Sequence, residues 1–147
     1  MPPTSDILKT ADAVVSVLNA ASLSMPFTAV RTYLPAFELK DMDTLHVTVV
    51  PKGILEAREA KATVQYDHSI DIAVQKRFPV GGGLVADIDP LLDLVEEIAE
   101  LFRLSRLTPF TPAAWLRTEH TALFDPEHMD NFRQFTSVLT LVFRVVR

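Results

Sequence analysis

The sequence contains no cysteine, and this absence excludes several kinds of chemistry together. A chain without thiols forms no disulfide, builds no zinc site on thiolates and has no cysteine nucleophile. The four histidines do not replace them, because none is paired at the i,i+2 or i,i+4 spacing of metal ligands. His120 and His128 flank Asp125 and Glu127, so a surface metal site is conceivable there. Turn residues beside a helix start are the interpretation that we prefer.

The sequence also lacks a run of basic residues and a long apolar stretch. Its formal net charge is −5, which argues against a protein that grips nucleic acid over its whole surface. Its apolar stretches fall short of the roughly 20 residues that a membrane helix needs. The first residues carry neither the basic region nor the apolar segment of a signal peptide. We therefore expect no membrane partner, and synthesis and folding in the cytosol.

Sequence signatures of catalysis are missing as well. The glycines at 81–83 are followed by Leu-Val-Ala-Asp, whereas a phosphate-binding loop needs Lys-Ser/Thr at that place. Neither Ser69 nor Ser137 lies in the Gly-x-Ser-x-Gly turn of a serine nucleophile. His68 precedes Ser69, but neighbouring residues of a strand point to opposite faces. The sequence predicts no catalytic, cofactor-binding or metal-binding residue, and a protein that is not an enzyme.

What the sequence does contain is the composition of one globular domain. Hydrophobic residues make up 48% of the 147 residues and charged residues 22%, so we expect a single domain over residues 1–147. Apolar residues at helical spacing predict a helix over residues 6–21, with Ser5 or Asp6 as its N-cap. Asp89 is predicted to cap a second helix, with Pro90 at its first position, where the missing N–H has no cost. Its acidic side chains, from Asp87 to Glu100, are predicted to form a solvated face.

Several segments have the composition of strands. β-rich residues predict strands at 27–33 and at 45–50, the latter ended by Pro51, and the alternation over 63–77 predicts the clearest strand of the chain. A short strand is expected at 113–118, a helix start at Asp125-Pro126-Glu127, and a central strand with two apolar faces at 135–146. The predicted fold class is α+β: a mixed or antiparallel sheet, packed on one side by two main helices.

The predicted strand at 63–77 is long for a domain of this size. Fully extended it spans roughly 50 Å, against a diameter of about 40 Å for a compact domain. We therefore expect it to bend or to belong to a long projecting hairpin, with the charged segment 51–62 as an exposed connection at the tip. Such an arm suits a contact between subunits. The residues expected to make this contact are Lys52, Ile54, Leu55, Glu56, Arg58 and Glu59.

The order of these segments, together with four phrases, resembles a known family. The phrases are FELKD at 37–41, VTVVP at 47–51, YDHSIDIAVQKR at 66–77 and FTSVLTL at 135–141. They are similar to the small tail-terminator and tail-completion (neck) proteins of long-tailed bacteriophages, and the likeness covers nearly the whole chain.

The resemblance implies a structural virion protein that needs no cofactor. Such a protein forms a ring, typically a hexamer, that caps the tail tube, stops its polymerisation and joins it to the head-tail connector. Its partners are further copies of itself, the tail tube protein, the connector and the tail sheath protein. DNA passes through the lumen, and an acidic ring suits a conduit along which DNA slides. The protein would reside in the tail or neck of the virion, and in the host cytoplasm during assembly.

Three alternatives stay open at this point. The first alternative is a different neck, head-completion or tail protein of the same virion. The second is a small cytosolic dimeric binding module with an apolar pocket. The third alternative is an unrecognised hydrolase, for which a cleft with perturbed titratable groups is expected.

Overall fold

The computed structural model describes residues 5–33, 44–78, 84–127 and 133–147. Two helices and five strands occupy these ranges, and the predicted α+β class is confirmed. In chain order the elements are α1 (Asp6–Ala20), β1 (Ala29–Arg31), β2 (His46–Arg58), β3 (Val64–Arg77), α2 (Leu84–Phe102), β4 (Ala114–Ala122) and β5 (Gln134–Val146), with a 3₁₀ turn at Thr108–Phe110 before β4.

The five strands form one mixed sheet in the order β1-β2-β3-β5-β4. β1 runs parallel to β2, and every other neighbouring pair is antiparallel. The predicted central position of the C-terminal strand is confirmed, since β5 lies between β3 and β4. The sheet is therefore built around three long strands, β2, β3 and β5.

Alternation along these strands separates an apolar face from a polar one. On β3, Ile70, Ile72 and Val74 are fully buried, as the period-two pattern predicted. Their partners on β5 include Leu139 and Leu141, which belong to the same hydrophobic cluster as the inner stripes of α1 and α2. The two helices thus cover one face of the sheet, which we call the helix face. The other face, the open face, has no helix over it among the described residues.

The first helix follows its predicted bounds closely. Ala11, Val14 and Leu18 are buried at helical spacing, and the Asn19 side chain fixes the start of β1. Its amide donates to the Ala29 carbonyl at 3.1 Å, and its carbonyl accepts from the Ala29 N–H at 2.7 Å. A single side chain thus replaces both backbone partners of Ala29, which positions β1 beside β2.

Two predictions about the hairpin need correction. Residues 51–58 are not an exposed connection, because β2 continues through Pro51 to Arg58 and pairs with β3, with an irregularity between Pro51 and Gly53. Pro51 does not end the strand, since a proline at a sheet edge has no need of a donor. The long projecting arm is not confirmed either. β3 pairs with β5 from Gln65 to Arg77, so neither strand of the hairpin stands alone.

The predicted start of the second helix is also wrong. α2 begins at Leu84, and Pro90 lies inside it. Proline lacks the N–H that would bond the carbonyl four residues earlier. The helix continues through Pro90 without this bond, and the next residue, Leu91, is fully buried. The acidic face of α2 is confirmed in outline: Asp89, Asp93, Glu96 and Glu100 are exposed.

Some predictions fall outside the described residues. These are the FELKD phrase at 37–41, the glycines at 81–83, His128, and the helix after Asp125 beyond residue 127. The described part of that helix start agrees with the prediction, since the Glu127 N–H bonds the Asp125 carboxylate at 3.1 Å. The short strand predicted at 113–118 is β4, and it extends to Ala122.

Candidate subunit-contact surface

The six residues predicted to contact a neighbouring subunit all lie on the distal part of the β2–β3 hairpin and are exposed. Five of them belong to the second half of β2, and Glu59 begins the turn. Ile54 is 49% exposed and Leu55 is 66% exposed, although both are large aliphatic side chains. Single exposed apolar residues are ordinary on protein surfaces, but two adjacent ones on a strand are less so.

The two aliphatic side chains lie on opposite faces of the sheet. Ile54 pairs with His68 and Leu55 pairs with Asp67, so the first is on the helix face and the second on the open face. The distal hairpin thus presents apolar surface in two directions. We call residues 52–59 the distal edge of the hairpin.

The turn at the end of this edge is closed by its own hydrogen bonds. The Glu59 N–H donates to the Thr63 carbonyl at 3.0 Å. The Arg58 guanidinium donates to the carbonyls of Ala60 and Lys61 at 3.2 and 3.0 Å. Such bonds restrict the turn in the free protein, so a partner that docks there loses less entropy on binding.

A network of polar side chains on the open face connects the β2–β3 hairpin to β5. Asp67 accepts two bonds from Arg144 of β5, at 2.8 and 3.0 Å, and the pKa of Asp67 lies below its usual value because of these bonds. Asp71 accepts from Thr140 at 2.7 Å. Lys52, one of the six predicted residues, lies 3.9 Å from the same carboxylate. These ionised groups are paired in ways that hold β2, β3 and β5 together.

The helix face carries a cavity of about 310 Å³ beside the distal edge. Ile54, Glu56 and Tyr66 line one side of it, and the start of α1 lines the other. Asp6 and Arg147 are joined by two bonds of 2.8 and 3.2 Å. This ion pair connects the first turn of α1 to the residue after β5.

His68 lines the same cavity and is almost completely buried. Its Nδ1 lies 2.9 Å from Thr10 Oγ1, whose hydroxyl proton is donated to the Asp6 carbonyl at 2.8 Å. The Thr10 oxygen must then accept, so His68 carries its proton on Nδ1. Burial lowers the pKa of His68, while the nearby carboxylates of Asp6 and Asp67 oppose that shift.

The lowered pKa of His68 predicts a loss of stability in mild acid. A histidine with a depressed folded-state pKa contributes its full stability above pH about 6.5. That contribution is lost as the pH falls through the folded-state pKa, because the unfolded chain binds the proton first. We expect the free energy of unfolding, measured with urea at pH 7 and pH 5, to fall less in His68→Asn than in the wild type.

Asparagine is chosen because its side-chain nitrogen can occupy the position of Nδ1 and keep the bond to Thr10. His120→Asn, which changes an exposed histidine, is the matched control. If His68→Asn keeps the full wild-type dependence on pH, burial of His68 is not its source.

Other exposed apolar side chains were not identified from the sequence. Large ones outside the hairpin include Leu104 (85% exposed) and Val85 (72% exposed), at the two ends of α2, and Val146 at the end of β5. Leu104 also has a positive φ of 58°, a conformation that normally favours glycine. An apolar residue just past a predicted helix is a weak signal, because periodicity does not tell which residues the fold leaves uncovered.

The described residues contain neither a metal-binding cluster nor a membrane-spanning helix. Across the described ranges, no three His, Asp, Glu or Cys side chains come together as a metal site would require. In the same part of the chain, no helix has the length and apolarity to span a bilayer. His68 and Ser69 lie on opposite faces of β3, as the sequence predicted. The feature of this surface that stands out is therefore its apolar edge.

Comparison with known proteins gives a likeness of fold. No protein-family model matches the chain, and no curated protein matches its sequence. A solved structure that is similar is the sheath/tube terminator of an extracellular contractile injection system, PVC, in its extended state. The identity is 14% and the TM-score 0.51, over 99% of this chain and 58% of that one. The chain thus spans somewhat more than half the length of this terminator, and its fold is terminator-like.

Proposed function

We propose that this chain is a tail-terminator subunit, which forms a closed ring on the end of a tail tube and stops the tube from growing. The observation that carries the proposal is the fold likeness to a sheath/tube terminator, because it extends over 99% of the chain. In this proposal the protein is structural and not an enzyme, and it works in a virion tail or a tail-like particle. Its partners are the tube protein, the sheath protein and its own copies.

The surface of the subunit supports a ring. A closed ring is built from head-to-tail contacts, so each subunit needs two different patches. The distal edge of the hairpin supplies one apolar patch, with Ile54 and Leu55. The other patch must lie elsewhere on the subunit. The acidic net charge of −5 fits a ring that lets DNA pass without binding it.

The proposal has two forms, which differ in the kind of particle that carries the ring. In the first form the ring also meets a head-tail connector, as in a long-tailed phage, and DNA crosses its lumen. In the second form the ring ends a contractile injection particle, and the solved terminator, which comes from such a system, favours this form. Both forms share the contact with the tube and the sheath.

The first experiment is native mass measurement over a concentration series, with negative-stain images of the heaviest species, alone and with tail tubes added. We expect closed rings, six-fold in the form that we propose, to appear as the concentration rises or when tubes are supplied. A tight dimer that never grows, with or without tubes, contradicts the proposal and favours a small binding module.

A pair of variants tests whether the distal edge takes part in ring formation. Leu55→Glu introduces a charge at a 66%-exposed position of the edge, and Val85→Glu does the same at a 72%-exposed position on α2. Both variants are expected to fold, because neither side chain is buried. We expect Leu55→Glu to weaken ring formation at least tenfold in concentration and Val85→Glu to have less effect. Equal effects of the two variants contradict a role of the distal edge.

A further inference from the structure

The sheet has an outer edge on β2 that the described chain leaves unpaired. Among the described residues, β1 pairs with β2 from Val47 to Val49, and the Thr32 N–H bonds the Val49 carbonyl at 2.9 Å. From residue 52 to residue 58, no described strand lies on the outer side of β2. An unpaired edge is a template for another strand.

The register tells which backbone groups point outward along this edge. Val64 and Arg147 exchange two backbone bonds, at 2.8 and 2.9 Å, so even-numbered residues of β3 bond to β5 and odd-numbered ones to β2. Leu55 is paired with the odd-numbered Asp67 and bonds to β3. The N–H and C=O groups of its neighbours, Ile54 and Glu56, therefore point away from the sheet.

At the opposite edge of the same sheet, the described residues leave most of the outer side of β4 unpaired as well. At the start of β4, the Trp115 N–H is bonded to the Ser105 carbonyl at 3.0 Å, but beyond that residue no described segment pairs with the outer side of β4. The residues Arg117 and Glu119 are paired with Val142 and Thr140 of β5, and they use their backbone groups inward. The backbone groups of Thr118, which lies between them, point outward.

The two edge strands concerned, β2 and β4, run in opposite directions. β2 and β5 run one way, and β3 and β4 run the other, because each neighbouring pair is antiparallel. In a ring whose axis runs along the strands, the rotation that relates neighbouring copies leaves the strand directions unchanged. Its β2 placed beside β4 of the first copy then makes an antiparallel pair. This contact is head-to-tail, as a ring demands.

We propose that the distal edge of β2 in one copy adds to the outer edge of β4 in the next copy, so that the sheet continues from subunit to subunit. The partner is a second copy of this chain, and the proposal rests on the ring of the proposed function. Glu56 opposite Thr118 brings two outward-pointing residues together, and Leu55 then faces Glu119 while Ala57 faces Arg117. This register sets no like charges directly opposite each other, and like charges there would destabilise the pair.

The same register keeps the faces of the sheet continuous. Leu55 and Glu119 both lie on the open face, because their partners Asp67 and Thr140 do. The paired stretch is short, since β4 has irregularities between Trp115 and Arg117 and between His120 and Ala122. Pairing over this stretch places the exposed Leu55 against the neighbouring copy.

Cross-linking tests the register directly, because the chain has no cysteine of its own. In the proposed pair, Leu55 and Glu119 are opposite residues without backbone bonds between them, about 4.5 Å apart at Cα, which is within the range of a disulfide. The double variant Leu55→Cys/Glu119→Cys, assembled and oxidised, should give a ladder of multimers on a non-reducing gel. The control, Leu55→Cys/Val85→Cys, should give no ladder beyond a dimer.

Proline substitution tests the backbone bonds. Glu56→Pro and Thr118→Pro each remove one outward N–H that no described segment pairs with, while Glu56→Ala and Thr118→Ala keep it. We expect both proline variants to keep the circular dichroism of the wild type and to need at least tenfold more protein to form rings. The alanine variants are expected to form rings as the wild type does.

The outcomes separate the two proposals. Rings without the Leu55–Glu119 ladder, and proline variants that assemble normally, overturn the edge pairing and leave the ring intact. A wild-type chain that forms no ring, even with tail tubes, overturns both. A ladder that appears equally in the Leu55/Val85 control also overturns the proposed register.

Discussion

Replacement of Phe143 by alanine is expected to lower the free energy of unfolding by about 4 kcal/mol. Phe143 is fully buried in the second half of β5, and its ring meets the Phe102 ring edge-on, with centroids 6.1 Å apart. Loss of the ring removes its apolar burial and leaves a cavity between β5 and the end of α2. For a domain of this size, the melting temperature should fall by roughly 12 °C.

Val146→Ala is the matched control for this variant. It shortens another apolar side chain of β5, but that side chain is 44% exposed, so we expect a loss under about 1 kcal/mol. Urea unfolding of both variants, monitored by circular dichroism, measures the difference. A loss below about 2 kcal/mol in Phe143→Ala would show that α2 is not held to the sheet through this contact.

The second large effect is expected from Arg144→Ala, which breaks the ion pair on the open face. The Asp67 side chain is 8% exposed and Arg144 is 35% exposed. Without its partner, the nearly buried carboxylate of Asp67 is left unpaired, and this is costly even where the ion pair itself contributes little. Because Arg144 is partly solvated, we discount the loss to about 2 kcal/mol at pH 7.

The pH dependence of this loss has a definite sign. Hydrogen bonds from Arg144 hold the pKa of Asp67 below its usual 3.8, so the ion pair stabilises the fold fully above pH about 4. That contribution is lost as the pH falls through the folded-state pKa. Urea unfolding at pH 7 and at pH 3.5 should therefore show a smaller difference between wild type and Arg144→Ala at the lower pH.

The double variant Asp67→Asn/Arg144→Ala identifies the cause. If the unpaired carboxylate is responsible, removal of its charge should make the double variant more stable than Arg144→Ala alone at pH 7. Arg147→Ala breaks the ion pair with Asp6, in which both side chains are more exposed, and should cost less. A double variant no more stable than the single one would show that Arg144 acts through its packing.

Much of the fold could be predicted, because burial imposes its period on the sequence. The alternation of Ile70, Ile72 and Val74 predicted the core face of β3, and the spacing of Ala11, Val14 and Leu18 predicted that of α1. The wrong predictions lie at two prolines. Pro51 and Pro90 were interpreted as ends of elements, whereas an unpaired edge and a tolerated gap in a helix let the chain continue through them.

The location of the candidate contact residues in the fold could be predicted only in part, and their contact with another subunit stays a prediction. The length of the strand at 63–77 and the charged composition of 51–62 predict an exposed segment around Ile54 and Leu55, and the structure finds all six predicted residues exposed. The projecting arm is not confirmed, because sequence length alone cannot tell such an arm from a strand that a distant segment accompanies. More than 50 residues separate the end of β3 from the start of β5 along the chain, and no local sequence pattern indicates that the two strands pair.

The sequence by itself determined the composition-level facts: no thiol chemistry, an acidic chain, an α+β pattern and the inward-facing residues of the main elements. These follow from residue chemistry and from periods of 2 and 3.6 residues. Only the tertiary structure decided which edges of the sheet the described residues leave unpaired. That depends on strand order and on where β1 stops beside β2, which are long-range pairings. That no described segment pairs with the outward backbone groups of Glu56 and Thr118 is therefore a property of the fold, and the proposed ring contact rests on it.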